Sequence, residues 1–296
     1  MIKIIPRDKI THLEWDENNP IPITSSSSTS ASSPMQNSFN PEVSIERIIN
    51  GSPFYDSKTS VALKQALDYA TLEGYVTTMP ELITAKIKAE KTHKFWKEWH
   101  SVHTEENIGI DKKGKYYTAN DPILIIVNGG GILTPERIET AYTEGLINGS
   151  AKYTDEEFDN LLEGKLPDNT TIQLYKFEDI KAGIPDLPHK FGVVMPYSMA
   201  QETSSEYYQK DAFINNPLVI ARAGGIENLE KYYDLAKHTD GRMGNHHPFS
   251  GRDASTPQGR LLFLSSNYLG LYGDSNLSSN GRFVGVAPEA HGARKK

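Results

Sequence analysis

A continuous apolar run in the middle of the chain limits the fold more than any other feature. Residues 123–127 are five aliphatic residues in succession, which suits a strand that is buried on both faces. Residues 128–131, Asn-Gly-Gly-Gly, then form a glycine-rich turn, and Thr134 followed by Pro135 is typical of a helix start. The run therefore predicts a strand, a tight loop and a helix in sequence.

Similar patterns recur on both sides of this unit. Helices are predicted from about 57 to 73, from 78 to about 103, from 134 to 146 and from 226 to 237. Further apolar runs that indicate buried segments lie at 171–177, 191–195, 217–221, 261–264 and 283–286. The fold class predicted from this alternation is α/β, with a mixed α+β arrangement as the alternative. A helical N-terminal part would precede a central sheet flanked by helices.

The second of these helices is predicted to be amphipathic. At 100° per residue, Trp96, Trp99 and His103 share one face with the apolar positions. The opposite face carries Lys86, Lys91, Lys94 and Lys97. We interpret the helix as packed on a core through its tryptophans, with the lysines in solvent.

Composition divides the chain into four parts. Residues 1–17 form an N-terminal segment, and residues 18–41 are rich in serine and proline and predict a flexible tether. Residues 42–237 form the α/β body. Residues 238–296 form an irregular C-terminal region, rich in arginine and glycine, that packs back on the body. Two long loops with very few apolar residues, 239–257 and 273–281, support this last assignment.

Charge separates the body from the C-terminal region. The net charge is −7, but residues 238–296 carry 7 basic and 4 acidic side chains, so that the rest of the chain is at −10. An acidic body disfavours nucleic acid as a partner. Within the C-terminal region the basic residues are mostly arginines, whereas lysine predominates before it.

Several protein classes are excluded by composition alone. The chain has no cysteine, which rules out disulfide frameworks, thiol nucleophiles and thiolate metal sites. Runs of about 18 apolar residues are absent, so no transmembrane segment is predicted. The first residues also lack the apolar core of a secretory signal. We therefore expect a soluble, cytoplasmic protein.

Binding of an anionic ligand, such as a phosphorylated one, is the leading functional hypothesis. Backbone N–H groups of a glycine loop before a helix can hold a phosphate, and arginine grips carboxylate or phosphate with two donors. The predicted ligand-binding residues are Gly129, Gly130, Gly131, Arg242, Arg252, Arg260 and Arg282. The hypothesis requires the four arginines to converge on one cleft.

Two other classes of function stay open. In the first, the chain is a structural or interaction protein that uses its serine-rich arm for self-assembly or for binding a protein partner. In the second, it is a serine hydrolase. Ser198 follows the apolar run 191–195, and the glycine loop upstream resembles the oxyanion loop of esterases with the α/β-hydrolase fold. Pro196 and Ala200 replace the glycines of the family's G-x-S-x-G motif.

A second esterase resemblance involves residues 272–276, Tyr-Gly-Asp-Ser-Asn. They resemble the first block of GDSL-type esterases, which implies Ser275 as a nucleophile. In that family an Asp-x-x-His pair lies near the C-terminal end, whereas residues 186–189, Asp-Leu-Pro-His, precede Ser275 here. The candidate catalytic residues are Ser198, Ser275, His189 and His247.

Histidines suggest no metal site. His246 and His247 are adjacent, and His93, His100 and His103 lie within one predicted helix, but neither group has the H-E-x-x-H spacing. We predict no metal ligands, and the sequence indicates no particular cofactor.

Overall fold

A large mixed sheet runs through the residues that the computed structural model describes, 41–237, 240–249, 252–266 and 269–288. The strands are β1 (Ser52–Asp56), β2 (Tyr75–Val76), β3 (His100–Asp111), β4 (Asp121–Asn128), β5 (Ala151–Lys152), β6 (Gln173–Lys176), β7 (Phe191–Pro196), β8 (Glu206–Tyr208), β9 (Met243–His246), β10 (Gln258–Ser265), β11 (Gly270–Tyr272) and β12 (Gly281–Val286). The helices are α1 (Ile45–Ile49), α2 (Thr59–Ala70), α3 (Met79–Lys88), α4 (Pro135–Glu144), α5 (Asp155–Leu162), α6 (Phe177–Ala182), α7 (Tyr197–Gln201), α8 (Lys210–Ile214), α9 (Pro217–Ala223) and α10 (Leu229–Ala236). The predicted α/β class, in its mixed α+β form, is confirmed.

The main sheet is mostly antiparallel. Its strand order is β6-β7-β4-β3-β10-β11-β9-β8, and β5 pairs with β10 beside this path. Parallel pairing occurs between β6 and β7 and between β9 and β11. A separate small sheet has the order β1-β12-β2. The C-terminal region therefore supplies β9, β10 and β11 to the large sheet and β12 to the small one.

Strand β4 is buried on both faces, as the apolar run predicts. Leu124 and Ile126 belong to one hydrophobic cluster, and Ile123, Ile125 and Val127 belong to another on the opposite side. Helices α3, α9 and α10 contribute to the first cluster, whereas α2, α4 and α5 contribute to the second. Burial on both faces explains why apolar residues follow one another here without alternation.

The helix after the glycine loop also begins where the sequence predicts. Thr134 caps α4, and its Oγ1 accepts a hydrogen bond from the Arg137 N–H at 3.1 Å. Pro135 occupies the first turn, where its missing N–H leaves no donor unused. Predicted helices at 57–73 and 226–237 are likewise present as α2 and α10, although both are shorter.

The long amphipathic helix predicted for 78–103 is wrong beyond its first three turns. Helix α3 ends at Lys88, a short 3-10 helix follows at Lys94–Trp96, and β3 begins at His100. Pairing of β3 with both β4 and β10 outweighs the helical periodicity of this segment. Lys86, expected in solvent, is almost completely buried.

The C-terminal region also differs from its expected irregular texture. Four strands, β9 to β12, lie in it, and long-range hydrogen bonding to β3, β1 and β2 orders them. Residues 217–221, one of the predicted buried apolar runs, lie in helix α9. Asn216 explains this start because its side chain accepts from the N–H groups of Leu218 and Val219.

The predicted N-terminal segment 1–17 and nearly all of the tether 18–41 lie outside the described residues. Among the described helices, none combines the length and the apolar character needed to cross a bilayer.

Candidate functional site

The glycine loop after β4 surrounds a buried carboxylate of the protein itself. The N–H groups of Ile132 and Leu133 donate to the two carboxylate oxygens of Glu105, at 2.8 and 2.9 Å. A Cβ atom at Gly131 would lie 2.0 Å from Oε1 of Glu105, so only glycine leaves room for the carboxylate. Burial raises the pKa of Glu105, and the hydrogen bonds from the two N–H groups and from Asn107 oppose that effect.

Gly129 and Gly130 are also engaged within the protein. Their N–H groups donate to the carbonyl oxygen of His103, at 2.9 and 3.3 Å. Both glycines have positive φ angles, 80° and 96°, as the tight turn requires. The donors that hold the Glu105 carboxylate are therefore the two residues after the predicted glycines, and Gly129 and Gly130 bind a carbonyl oxygen instead.

Two of the four predicted arginines meet. Arg252 and Arg260 are both buried, and both donate to Oγ of Ser150 and to the carbonyl oxygen of Asn148, over distances of 2.7 to 3.0 Å. Arg252 also donates to Oε1 of Gln258 at 3.0 Å. All of these acceptors are uncharged. The two buried positive charges are therefore stabilised by hydrogen bonds to neutral groups of the protein.

The other two arginines lie elsewhere. Arg242 is exposed, and it donates to Asp240, two residues earlier, at 2.7 and 3.0 Å. Arg282 forms an ion pair of 2.8 Å with Glu98. Its guanidinium carbon lies 5.4 Å from the ring centre of Tyr55 and 5.3 Å from that of Trp99. The structure therefore places the four arginines at three separate positions.

A fifth arginine, which sequence reasoning missed, is more deeply buried. Arg222 on α9 holds the Glu106 carboxylate with Nε and Nη2, at 2.7 and 3.1 Å. Its Nη1 donates to Oδ1 of Asn245 and to the carbonyl oxygens of His246 and Leu271. The sequence signal for this site was the position of Arg222 directly after the apolar residues 217–221. An arginine next to a buried apolar run is itself buried only when it has a partner.

The candidate catalytic residues do not form a serine–histidine pair. Ser198 is exposed at the start of α7, and Ser275 lies after β11. His189 is 2.6 Å from Oε1 of Glu81, and His247 contacts the hydroxyl and carbonyl of Thr203 at 3.1 Å. Within the described part of the chain, neither serine is hydrogen-bonded to a histidine.

A row of aromatic rings lies across the C-terminal strands, and the sequence analysis did not identify it. Phe263 of β10, Tyr272 of β11 and His246 of β9 occupy paired positions in the sheet. Their rings are stacked, with centroid separations of 4.8 and 4.7 Å and interplanar angles of 20° and 16°. Tyr207 extends the row at one end, 5.1 Å from His246, and Trp99 extends it at the other, 6.4 Å from Phe263.

This row borders a cavity of about 510 Å³, which we call the aromatic pocket. Its lining comes from β3, β8 to β11 and the segment between β11 and β12. The lining residues are Thr59, Trp99, Ser101, Tyr207, His246, Leu261, Leu262, Phe263, Ser265, Tyr272, Asp274, Ser275, Asn276, Leu277 and Asn280. A second cavity of about 850 Å³ borders α4 and α5, but its Arg137 is already paired with Glu144 and Glu157.

One acidic side chain lines the described part of the pocket. Asp274 is the only Asp, Glu, Lys or Arg among its described lining residues. Burial lowers the pKa of His246, the Arg222 charge adds to this, and the Asp274 carboxylate opposes it. The net shift favours the neutral form of the imidazole, whose buried Nε2 has no hydrogen-bond partner among the described residues.

The buried arginines hold the backbone that carries the pocket. Arg222 binds the carbonyl of His246, and Arg260 Nη1 binds the carbonyl of Gly273 at 2.9 Å. The Leu277 N–H donates to the carbonyl of Gly149, the residue between the two acceptors that Arg252 and Arg260 share. Arg222 of the body and Arg252 and Arg260 of the C-terminal region thus position the pocket walls from behind.

The comparisons with known proteins concern the fold. No family model and no curated protein matches the chain. A solved structure described as "Accommodation of massive sequence variation in Nanoarchaeota by the C-type lectin fold" matches with a TM-score of 0.62 and 26% sequence identity. The match covers 80% of this chain and 97% of that one. In fold, the chain is therefore similar to a protein with the C-type lectin fold.

Proposed function

We propose that the chain is a recognition protein that binds a partner protein through the aromatic pocket. The observation that carries the proposal is the row of five rings beside a cavity lined by serine and asparagine side chains. Tyrosine, serine and asparagine, with tryptophan at key contacts, are also the residues that antibodies use for contact with antigens. Aromatic side chains of this kind contribute most of the binding energy at protein interfaces.

Rigid support of the pocket strengthens the proposal. His246, Tyr272 and Phe263 are carried by hydrogen-bonded strands whose backbone is held by buried arginines. A preorganised surface loses little conformational entropy when it binds. The similar structure is described as accommodating sequence variation in the C-type lectin fold. Here the supporting bonds go to backbone carbonyls and to side chains that do not line the pocket, which suits a surface whose own side chains can differ without loss of the fold.

A phage-displayed library of random peptides, panned on the full chain, tests this function. Ser275 lines the pocket, so Ser275→Tyr fills the cavity from the segment between β11 and β12. Thr143→Tyr, on an exposed position of α4, adds the same ring elsewhere. We expect enriched peptides to bind wild type and Thr143→Tyr equally and to lose about tenfold or more in affinity for Ser275→Tyr. Peptides that bind Ser275→Tyr as tightly as wild type would overturn the proposal.

The earlier hypotheses have less geometric support. Binding of an anionic ligand would have to displace Glu105 from the glycine loop, or use arginines that lie at three positions. Serine hydrolysis would need a base that neither Ser198 nor Ser275 contacts among the described residues. Labelling by a fluorophosphonate probe would revive the hydrolase hypothesis. Self-assembly through the serine-rich arm and a cytoplasmic location stay predictions.

A further inference from the structure

We infer that the aromatic pocket accepts a basic side chain, arginine or lysine, of the partner protein, with Asp274 as its counter-ion. The inference rests on the proposed function and adds the chemical class of the group that enters the pocket. Three observations lead to it: a cation held beside the pocket, an acidic group without a partner inside it, and the charge of the chain.

The first observation is the setting of Arg282 at one end of the aromatic row. Its guanidinium lies over the rings of Tyr55 and Trp99, at 5.4 and 5.3 Å from the ring centres. Glu98 completes the site with an ion pair of 2.8 Å. Two rings and one carboxylate are a favourable environment for a cation. The protein thus binds one basic side chain of its own by this chemistry.

The second observation is that the other end of the row carries acceptor groups: Phe263 and His246 cover both faces of Tyr272, so the tyrosine hydroxyls and a carboxylate are the groups available there. Tyr207 and Tyr272 flank His246, and their hydroxyl oxygens lie 3.3 Å apart. Asp274 lines the cavity beside them and is exposed. No described residue donates a hydrogen bond to its carboxylate or forms an ion pair with it. This end has tyrosine hydroxyl oxygens and a carboxylate, and no lysine or arginine of the described residues is paired with that carboxylate.

The third observation is charge complementarity. Asp274 is the one charged side chain that lines the pocket in the described part of the chain, and the whole chain has a net charge of −7. At short range, Asp274 repels an acidic side chain of a partner and attracts a basic one.

The test measures binding of blocked tripeptides to the full chain labelled with ¹⁵N, by the shifts of the backbone amides of 272–277. The central residue is arginine or its neutral isostere citrulline, lysine or its neutral acetyl derivative, or glutamate. Single side chains bind weakly, so we expect dissociation constants in the millimolar range. At least one basic peptide should bind about fivefold or more tightly than its neutral counterpart, and less tightly at high salt.

Two variants link the preference to the carboxylate. Asp274→Asn should bring the basic and neutral peptides to equal affinity, whereas Asp179→Asn, at an exposed position on α6, should keep the difference. Neutral peptides that bind wild type as well as basic ones, tighter binding of the glutamate peptide, or no shift in the pocket amides with any peptide would each overturn the inference. The panning experiment decides the proposed function separately, because peptides without basic residues that require an open pocket would support it and contradict the inference.

Discussion

Strands β9 and β11 have two faces that differ in how their polar groups are used. On the inner face, Asn245 binds Arg222, and Leu271 packs in the core. On the outer face, one residue further along each strand, His246 and Tyr272 stack beside the aromatic pocket. The inner face fixes the backbone, and the outer face borders the pocket. Adjacent residues of one strand can therefore serve stability and recognition separately.

Removing the inner support should have the largest effect. Arg222→Met leaves the Glu106 carboxylate buried without its partner, and we expect the free energy of unfolding to fall by about 4 kcal/mol. Urea denaturation measures this change. Adding Glu106→Gln should recover part of the loss, because the unpaired charge is gone. Arg242→Met, which removes an exposed arginine paired with Asp240, is the matched control and should change stability by less than about 0.5 kcal/mol.

Lys86 extends the comparison to a buried positive charge that pairs with no acidic residue in the described part of the chain. Its Nζ donates to Oγ of Ser266 at 2.9 Å and lies 4.8 Å from the ring centre of Trp96. Burial lowers the pKa of Lys86 from 10.5 to about 7. Between these values the unfolded chain binds one more proton than the folded chain, so this group makes stability rise with pH across that range.

Lys86→Met should therefore raise the free energy of unfolding at pH 7 by about 3 kcal/mol. The gain should shrink as the pH approaches 10, because the cost of deprotonating the lysine of the unfolded chain falls as the pH nears its pKa of 10.5. Urea denaturation at several pH values measures both effects. Lys88→Met, an exposed lysine on the same helix, should change neither stability nor its pH dependence. An equal gain at pH 7 and pH 10 would contradict the explanation.

Removing the hydroxyl that Arg252 and Arg260 share as an acceptor should lower stability by a smaller amount. Ser150→Ala removes an oxygen that receives three guanidinium N–H groups. Unsatisfied buried donors are costly, so we expect the free energy of unfolding to fall by about 2 kcal/mol. Amide hydrogen exchange should also become faster in 273–277, which Arg260 and Gly149 hold in place. Unchanged exchange there would show that the arginines do not position this segment.

The outer face should show the smallest effect on stability. Ser275→Ala removes a hydroxyl from a half-buried position that lines the pocket. We expect the free energy of unfolding to stay within about 0.5 kcal/mol of wild type. Comparison with Ser150→Ala, the same change on the inner side, makes the contrast direct. A loss as large as that of Ser150→Ala would break the distinction between the two faces.

Local patterns predicted the elements that depend on local forces. Neighbouring residues were enough to predict the strand at 123–127, the cap at Thr134 and the helix observed as α10. The segment from Lys88 to His103 could not be predicted in this way. Its helical spacing is outweighed by strand pairing, and one of the paired strands, β10, lies more than 150 residues further along the chain. Strand pairing over such distances leaves no local signal.

The site was harder to predict than the fold for the same reason. Tyr207, His246, Phe263 and Tyr272 are separate in the sequence and become neighbours only through strand register. The arginines were recognised as unusual, but their partners were not. Arg252 and Arg260 bind a turn about 100 residues upstream. Composition marked the C-terminal region as important, and the topology decides which of its residues face a partner.

The stacked rings also define a fixed pitch. Phe263, Tyr272 and His246 repeat every 4.8 and 4.7 Å, which is the spacing of neighbouring strands in a sheet. Backbone hydrogen bonds set that interval, so a different side chain at any one position would leave the interval unchanged. The outer face therefore presents side chains at a constant spacing, and the residue at each position can change while that spacing stays the same.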